Sequence, residues 1–360
     1  MDAAAALDPL ALEVWFKRHV HQASPPFTYT LIAGGQSNLS YRVVDATGTA
    51  FVLRRPPLGL LPPGTHDVTR EHRILAALGP STVRVPPVVG LCADPGVIGA
   101  PFYVMNWVTG TIIDRVSQVA EILPDAAARR NAAFGMVDGL AALHQLDVDT
   151  TGLGDLSRRD DYVARILRRM YQVWENTKTR DLPLVDSLHA RLVELMPPQR
   201  HTGLIHSDYR LGNVMLGTTA KVVAVLDWEL CTIGDVLADL AYLLNSWDLP
   251  DDPWPDVWTQ IAPTRAGGFP TREELATRYA RRTGFDIDRL NYFRAFNYWR
   301  IAVIAEGVKR RHESGSMAST GFDAEVLAQR VLDRAELADR FLLAYEAEVG
   351  VAAIARPSDQ

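Results

Sequence analysis

The order of residue patterns predicts an α+β chain in two parts: a small antiparallel sheet carrying one helix, then a larger, mainly helical region. Three observations predict it. Strand-like patterns dominate residues 29–107, helical periodicity dominates after Thr109-Gly110, and the change falls in a short hinge-like segment at 106–110. The expected division is therefore 1–107, with a leading helix, and 108–360. A chain of 360 residues with 48% hydrophobic and 22% charged residues can bury a sizeable core.

Apolar residues at Leu7, Leu10, Leu12, Val14 and Trp15 predict the leading helix, stopped by Ser24-Pro25-Pro26. Strands are expected at 29–33, 40–44 and 50–55, the last two joined by a turn at Asp45-Ala46-Thr47-Gly48. A helix over 67–78 carries Val68, Ile74, Leu75 and Leu78 on one face, and strands follow at 87–92 and 102–107. Beyond the hinge, helices are expected at 124–146, 160–176, 184–195, 235–246, 272–283, 288–311 and 324–348. Short strand-like runs at 203–206, 214–216 and 222–226 interrupt them.

Charge and cysteine usage exclude several functions. A formal net charge of −6 argues against a basic nucleic-acid or anionic-membrane binder, and two cysteines cannot build a disulfide framework or a four-thiolate zinc site. No secretory signal or bilayer span is read in the chain, so the cytoplasm is the expected compartment. The oligomeric state is left open. The charge is uneven: residues 201–260 hold nine acids and two bases, a net −7, while the rest of the chain sums to +1.

That acidic segment contains the most informative motif. Leu204-Ile205-His206-Ser207-Asp208-Tyr209-Arg210-Leu211-Gly212-Asn213-Val214-Met215-Leu216 places H-x-D-x-x-x-x-N between apolar strand-like residues, and Asp227 ends the run Val222–Leu226. Metal-assisted phosphoryl transfer requires such a set: one carboxylate for the attacking hydroxyl, and an amide oxygen and second carboxylate to hold Mg²⁺ against nucleotide phosphates. Upstream, Gly34-Gly35-Gln36-Ser37-Asn38 joins two strands and suits a phosphate-covering hairpin.

These motifs, with V-L-D-W-E-L-C-T-I-G-D-V-L-A-D-L-A over 225–241, resemble the aminoglycoside phosphotransferase and choline-kinase-like superfamily. They look most like the bacterial branch also found fused to acyl-CoA dehydrogenases in larger animal proteins. The resemblance implies a bilobal protein-kinase-like fold and an ATP- and Mg²⁺-dependent enzyme phosphorylating a hydroxyl of a small molecule. It implies Asp208 as the catalytic base, Asn213 and Asp227 as magnesium ligands, His206 as a brace of the catalytic loop, and Asp235 and Asp239 as residues fixing the loop and helix that follow the metal site. An N-capping role for Asp235 ranks above direct chemistry.

For the nucleotide, the resemblance implies backbone and side-chain contacts from Gly34, Gly35, Ser37 and Asn38, and adenine contacts at Met105, Asn106 and Val108. The family usually sets a lysine on the strand at 50–55, paired with a helix glutamate. Here that strand reads Phe51-Val52-Leu53-Arg54-Arg55. Alternation puts Val52 and Arg54 on one face and Phe51, Leu53 and Arg55 on the other. Val52 would roof the adenine, Arg54 would reach the phosphates with Glu71 as partner, and which arginine points inward is left open.

Two features bear on the acceptor. Acids at Asp248, Asp251, Asp252 and Asp256 could face a polycation, as in aminoglycoside-modifying relatives. The stretch 294–311 instead carries five bases against Glu306 and would favour an anionic, acyl-CoA-like acceptor if it lines the cleft. A nucleotide-binding regulatory protein without turnover is the alternative that the missing lysine motivates. A protein kinase is disfavoured because Asp227-Trp228-Glu229 stands where D-F-G is usual, and a metal hydrolase because the histidines are scattered.

Overall fold

A computed structural model describes residues 7–32, 38–57, 67–253, 261–315 and 324–354. Within them the fold is the α+β bilobal arrangement expected. The first lobe is a five-stranded antiparallel sheet in the order β1-β2-β3-β5-β4, built from β1 (Thr28–Leu31), β2 (Leu39–Val44), β3 (Ala50–Arg55), β4 (Val88–Cys92) and β5 (Phe102–Asn106). Period-two burial along β3 divides its side chains. Phe51 and Leu53 join the core under helix α1 (Pro9–His19), whereas Val52 packs toward the second lobe with Tyr103 and Met105 of β5.

The leading helix packs differently from its apolar spacing. Leu12, Trp15 and Phe16 are buried, while Leu10 and Val14 are 78% and 52% exposed, because the helix turns its 12/15/16 face to the sheet. Helix α2 (Val68–Leu78) is N-capped by Asp67, whose carboxylate accepts from the Arg70 N–H. Its buried face is Val68, Glu71, Ile74, Leu75 and Leu78, so Glu71 lies in line with the apolar residues and is only 2% exposed. Burying a carboxylate there requires a partner.

The second lobe is helical: α3 (Val116–Ile122), α4 (Ala126–His144), α5 (Tyr162–Thr177), α6 (Pro183–Glu194), α7 (Leu237–Asn245), α8 (Arg272–Thr283), α9 (Leu290–Glu313) and α10 (Ala324–Ile354). Two small antiparallel sheets are set among them. β7 (Thr202–Ile205) pairs with β10 (Thr232–Asp235), and β8 (Val214–Leu216) lies between β6 (Thr111–Ile112) and β9 (Val222–Val225). The short elements β6, α3 and β10 were not expected from the sequence. β10 exists because Thr232–Asp235 finds a partner in β7, a tertiary contact that a four-residue run containing Gly234 does not advertise.

Helix α9 is the second lobe's central strut, and its arginines are structural. Arg294 lies over the Phe341 ring and donates to Asn245, Arg300 donates to the Ser207 carbonyl, and Lys309 bonds Thr179 and Glu313. These bases are taken up within the second lobe, and Ile301 and Ile304 are the residues of this helix that line the cavity beside Asp208. Among the described residues no helix is long and apolar enough to cross a membrane.

Gly234 lets β10 pass under the second lobe's core. A Cβ there would lie 2.6 Å from the Tyr162 ring and 2.8 Å from Ile205. Gly234→Ala is therefore expected to destabilise the protein by about 1–3 kcal/mol, as overpacking does. Urea unfolding checks this, and an unchanged midpoint would show that the contact relaxes freely.

Candidate active site

The loop after β7 is shaped by one carboxylate. Asp239, on the first turn of α7 and 1% exposed, accepts from the backbone N–H of His206 at 2.5 Å and of Ser207 at 2.7 Å. His144 stands 3.4 Å from the same carboxylate and bonds the Tyr279 hydroxyl at 2.6 Å, which makes it a packing residue. The two amides held by Asp239 stabilise Ser207 at φ +71°, outside the conformations most residues prefer. That kink aims the next side chain, Asp208, out of the loop. His206 reaches across with its ring nitrogen to the Leu226 carbonyl at 2.8 Å, tying this loop to the end of β9. Asp235 accepts from the Leu237 N–H at the start of α7, a capping contact, and burial pushes its carboxyl up.

Asp208 is fully engaged. Its Oδ2 accepts from Asn213 Nδ2 at 2.7 Å, and its Oδ1 from the Tyr242 hydroxyl at 2.5 Å, with Arg210 Nε at 3.4 Å. Burial, followed by the charge of Asp208, pushes the Tyr242 phenol up, so it remains a donor. The Asn213 amide nitrogen also donates to the Asp208 carbonyl, which turns its Oδ1 away from Asp208. The Leu226 N–H donates to the Asn213 carbonyl at 2.8 Å and brings Asn213 beside Asp227. Asp227 takes the left-handed conformation at φ +64°, which directs its carboxylate from the strand end into the space between the lobes.

There it meets the first lobe. Arg54 Nε lies 3.0 Å from Glu71 Oε2, and the Arg54 terminal nitrogen lies 3.0 Å from Asp227 Oδ1 and 3.8 Å from Glu229 Oε2. Burial works against the Arg54 charge, but Glu71, Asp227 and Glu229 outweigh it and hold its pKa above the ordinary value. Burial pushes the Glu71 carboxyl up to about 7; Arg54 opposes the rise, and Asp227 and Glu229 add to it. Arg55 points the other way, buried, with its guanidinium on the Ile98 and Pro56 carbonyls. Of the two arginines, Arg54 faces the cleft.

The interlobe cleft encloses about 760 Å³. Val52, Met105, Met215, Leu226 and Trp228 make it a flat apolar slot, and Arg54, Glu71 and Asp227 close one end. Asn106 and Val108 edge it. The Asn106 N–H donates to the Pro87 carbonyl at 2.8 Å, and Pro87 has no N–H to return, so the Asn106 carbonyl receives no bond from it. Asn38 is buried with its amide nitrogen 3.5 Å from Glu229, so it meets the Asp227–Cys231 turn rather than the cleft wall. Gly34, Gly35 and Ser37 lie outside the described residues.

A second cavity of about 1,530 Å³ opens on the other side of Asp208. Its wall carries Arg210, Tyr242, Asp248, Arg330 and Arg334, with Asp114 at the margin. Burial, with the neighbouring Arg334 adding to it, holds the Arg330 guanidinium down to about 10. Asp252 is ion-paired with Arg272 instead of facing an acceptor, and Asp256 lies outside the described residues.

Tyr103, Tyr242, Glu229 and Arg330 were missed in the sequence. Tyr103 sits two residues before Met105 on the same strand face and Tyr242 three after Asp239 on α7, so periodicity carried a signal for both. Nothing local marks Arg330, which arrives from the last helix.

Residues 28–293 match the model of the family described as "Phosphotransferase enzyme family". The chain belongs to that family. It is 35% identical over 289 residues, 79% of its length, to mouse acyl-CoA dehydrogenase family member 10, of which it covers 26%. It is similar to a crystal structure from Ralstonia eutropha carrying a provisional assignment as an aminoglycoside phosphotransferase. That likeness has a TM-score of 0.80 and 32% identity, covering 94% of this chain and 98% of that one. Amicoumacin kinase, solved with AMP-PNP, Ca²⁺ and amicoumacin, shares the fold at a TM-score of 0.59 and 16% identity, covering 94% of this chain and 96% of that one. The chain spans only about a quarter to two-fifths of the length of its curated acyl-CoA dehydrogenase relatives from mouse, chicken and human.

Asp239→Ala would leave the buried His206 and Ser207 amides without their acceptor. Each such group costs about 1–3 kcal/mol, so a loss on the order of 2–5 kcal/mol is expected. Denaturant unfolding measures it, and a loss near zero would show that the loop does not depend on this carboxylate.

Proposed function

We propose that the chain is an ATP- and Mg²⁺-dependent O-phosphotransferase acting on a hydroxyl of a small molecule. One observation carries this: Asp227 lines an apolar slot between the lobes and Asp208 lines a second cavity, and Asn213 links the two through its bonds to Asp208 and to the Leu226 N–H. Membership of the phosphotransferase family supports the chemistry, and the amicoumacin kinase complex with AMP-PNP supports a nucleotide in the slot.

In this proposal the adenine lies between Val52 and the Met215–Leu226 floor, with the Asn106 carbonyl accepting from its amino group and Met105 behind it. Arg54, held by Glu71, donates to the phosphates, and its planar fork suits bidentate contact. Asn213 Oδ1 and the Asp227 carboxylate are hard oxygen donors of the kind magnesium takes together with substrate phosphates. When bound, the cation would neutralise charge on the transferring phosphoryl group. Asp208, oriented by Asn213 and Tyr242, accepts the acceptor's hydroxyl proton as the acceptor oxygen bonds the γ-phosphorus. The bond to the β-phosphate oxygen breaks and ADP leaves.

For the acceptor we propose an anionic hydroxylated compound, with a hydroxyacyl-CoA the representative case. The occurrence of similar sequence within acyl-CoA dehydrogenase family proteins supports this, and Arg330 and Arg334 supply cations on a chamber wall that also carries Asp114, Asp208 and Asp248. A nucleotide-binding protein without turnover remains the second proposal, because Arg54 engages Asp227 directly.

Asp208→Asn is expected to lower transfer by about 10²–10⁴-fold while keeping Mg·AMP-PNP affinity, since the base acts on the acceptor. Asp227→Ala should weaken Mg·AMP-PNP and leave AMP binding unchanged. Isotope transfer from ATP to a library of hydroxyacyl-CoAs, hydroxy acids and aminoglycosides, with calorimetric titration of nucleotides, reads both. A folded Asp208→Asn protein that no longer binds Mg·AMP-PNP would reject the assignment. A native protein that binds Mg·ATP but labels nothing would favour the second proposal. Arg330→Met should raise KM for an anionic acceptor about tenfold or more with kcat held, and an unchanged KM would place the anion elsewhere.

A further inference from the structure

Helix α2 is tied to the second lobe by its arginines. Arg70 donates from one terminal nitrogen to the Glu229 carbonyl at 3.2 Å and from the other to the Cys231 carbonyl at 2.6 Å. One turn on, Arg73 donates to the Gly152 carbonyl at 2.7 Å and pairs with Asp155. Arg70 is half-buried, and its fork spans the turn that begins at Asp227. That turn is held from the first lobe by Arg54 at Asp227 and by Asn38 at the Glu229 side chain. Arg70 is thus the neighbour of Glu71 on the helix and the clasp on the turn bearing Asp227. Its two charge-assisted bonds fix the distance between the Glu71 carboxylate and Asp227, and with it the place where Arg54 can sit.

We propose that Arg70 is a positioning residue: its clasp on the Glu229 and Cys231 carbonyls holds α2 inward, so that Glu71 keeps Arg54 aimed at the nucleotide phosphates. The consequence is an arm preassembled by side-chain-to-backbone bonds within this chain, with no separate ordering step required to bring Glu71 in. This rests on the nucleotide proposal above for its functional meaning, though the clasp itself does not.

Two measurements on the full chain test it, using Arg70→Met and Arg70→Lys beside wild type. Titration with Mg·AMP-PNP and with AMP separates contacts to the metal-bound β- and γ-phosphates from those to adenosine and the α-phosphate, and hydrogen exchange follows the α2 amides. Arg70→Met should bind Mg·AMP-PNP about tenfold more weakly, as expected for loss of charge-assisted bonds, with AMP unchanged and α2 exchanging faster. Arg70→Lys, which keeps the charge and one donor direction, should recover part of both effects. Wild-type affinity and wild-type α2 protection in Arg70→Met would overturn the proposal. So would an equal loss for AMP and Mg·AMP-PNP with a lowered Tm, which marks a general structural role. If wild type binds neither nucleotide, the nucleotide proposal fails by itself. In that event exchange still decides the clasp, and unchanged α2 protection in Arg70→Met overturns it.

Discussion

The two lobes meet at the Arg54 guanidinium. Arg54 is 15% exposed and lies within 4 Å of Glu71, Asp227 and Glu229, which come from a helix of one lobe and a turn of the other. Glu71 is the buried member of the set, and a buried carboxylate needs a paired cation, so Arg54 is held inward. The same guanidinium reaches across to Asp227, so the spacing of helix α2, strand β3 and the turn after β9 depends on it.

The second constraint is geometric. Asp239 spends its carboxylate on two consecutive amides, and the resulting kink at Ser207 points Asp208 away from the core. Asn213 and Tyr242 then hold both oxygens of Asp208, and the bond from Leu226 to Asn213 sets the second carboxylate beside it. Bonds from Asp239, Tyr242 and the Leu226 carbonyl tie the loop to its neighbouring elements.

Much of this was legible in the sequence because it follows chain-local rules. Alternation along β3 separated Arg54 from Arg55, and the motif from His206 to Asn213 brought Asp208 and the Asn213 amide together. The two-lobe division followed from the change of period near residue 107. Glu71 could have been read as buried from its spacing with Val68 and Ile74. What was not legible depends on distant packing. The bases of α9 looked like a cationic face but are absorbed by Phe341, Asn245, Ser207 and Thr179, and the chamber's guanidiniums come instead from α10 and the catalytic loop. The acid-rich segment 201–260 likewise divides on folding: Asp235 and Asp239 organise backbone, Asp252 pairs with Arg272, and Asp208 and Asp227 line cavities.

In the proposed function the end of the interlobe cleft at Arg54 and Asp227 receives a metal-bound nucleotide. A crystal structure of the protein with AMP-PNP and Mn²⁺, read by anomalous scattering, tests it most directly. The account predicts a manganese peak between Asn213 Oδ1 and the Asp227 carboxylate, adenine against Val52, and Arg54 moved from Asp227 onto the phosphates. A nucleotide bound outside this cleft, or a metal held without Asn213 and Asp227, would contradict it.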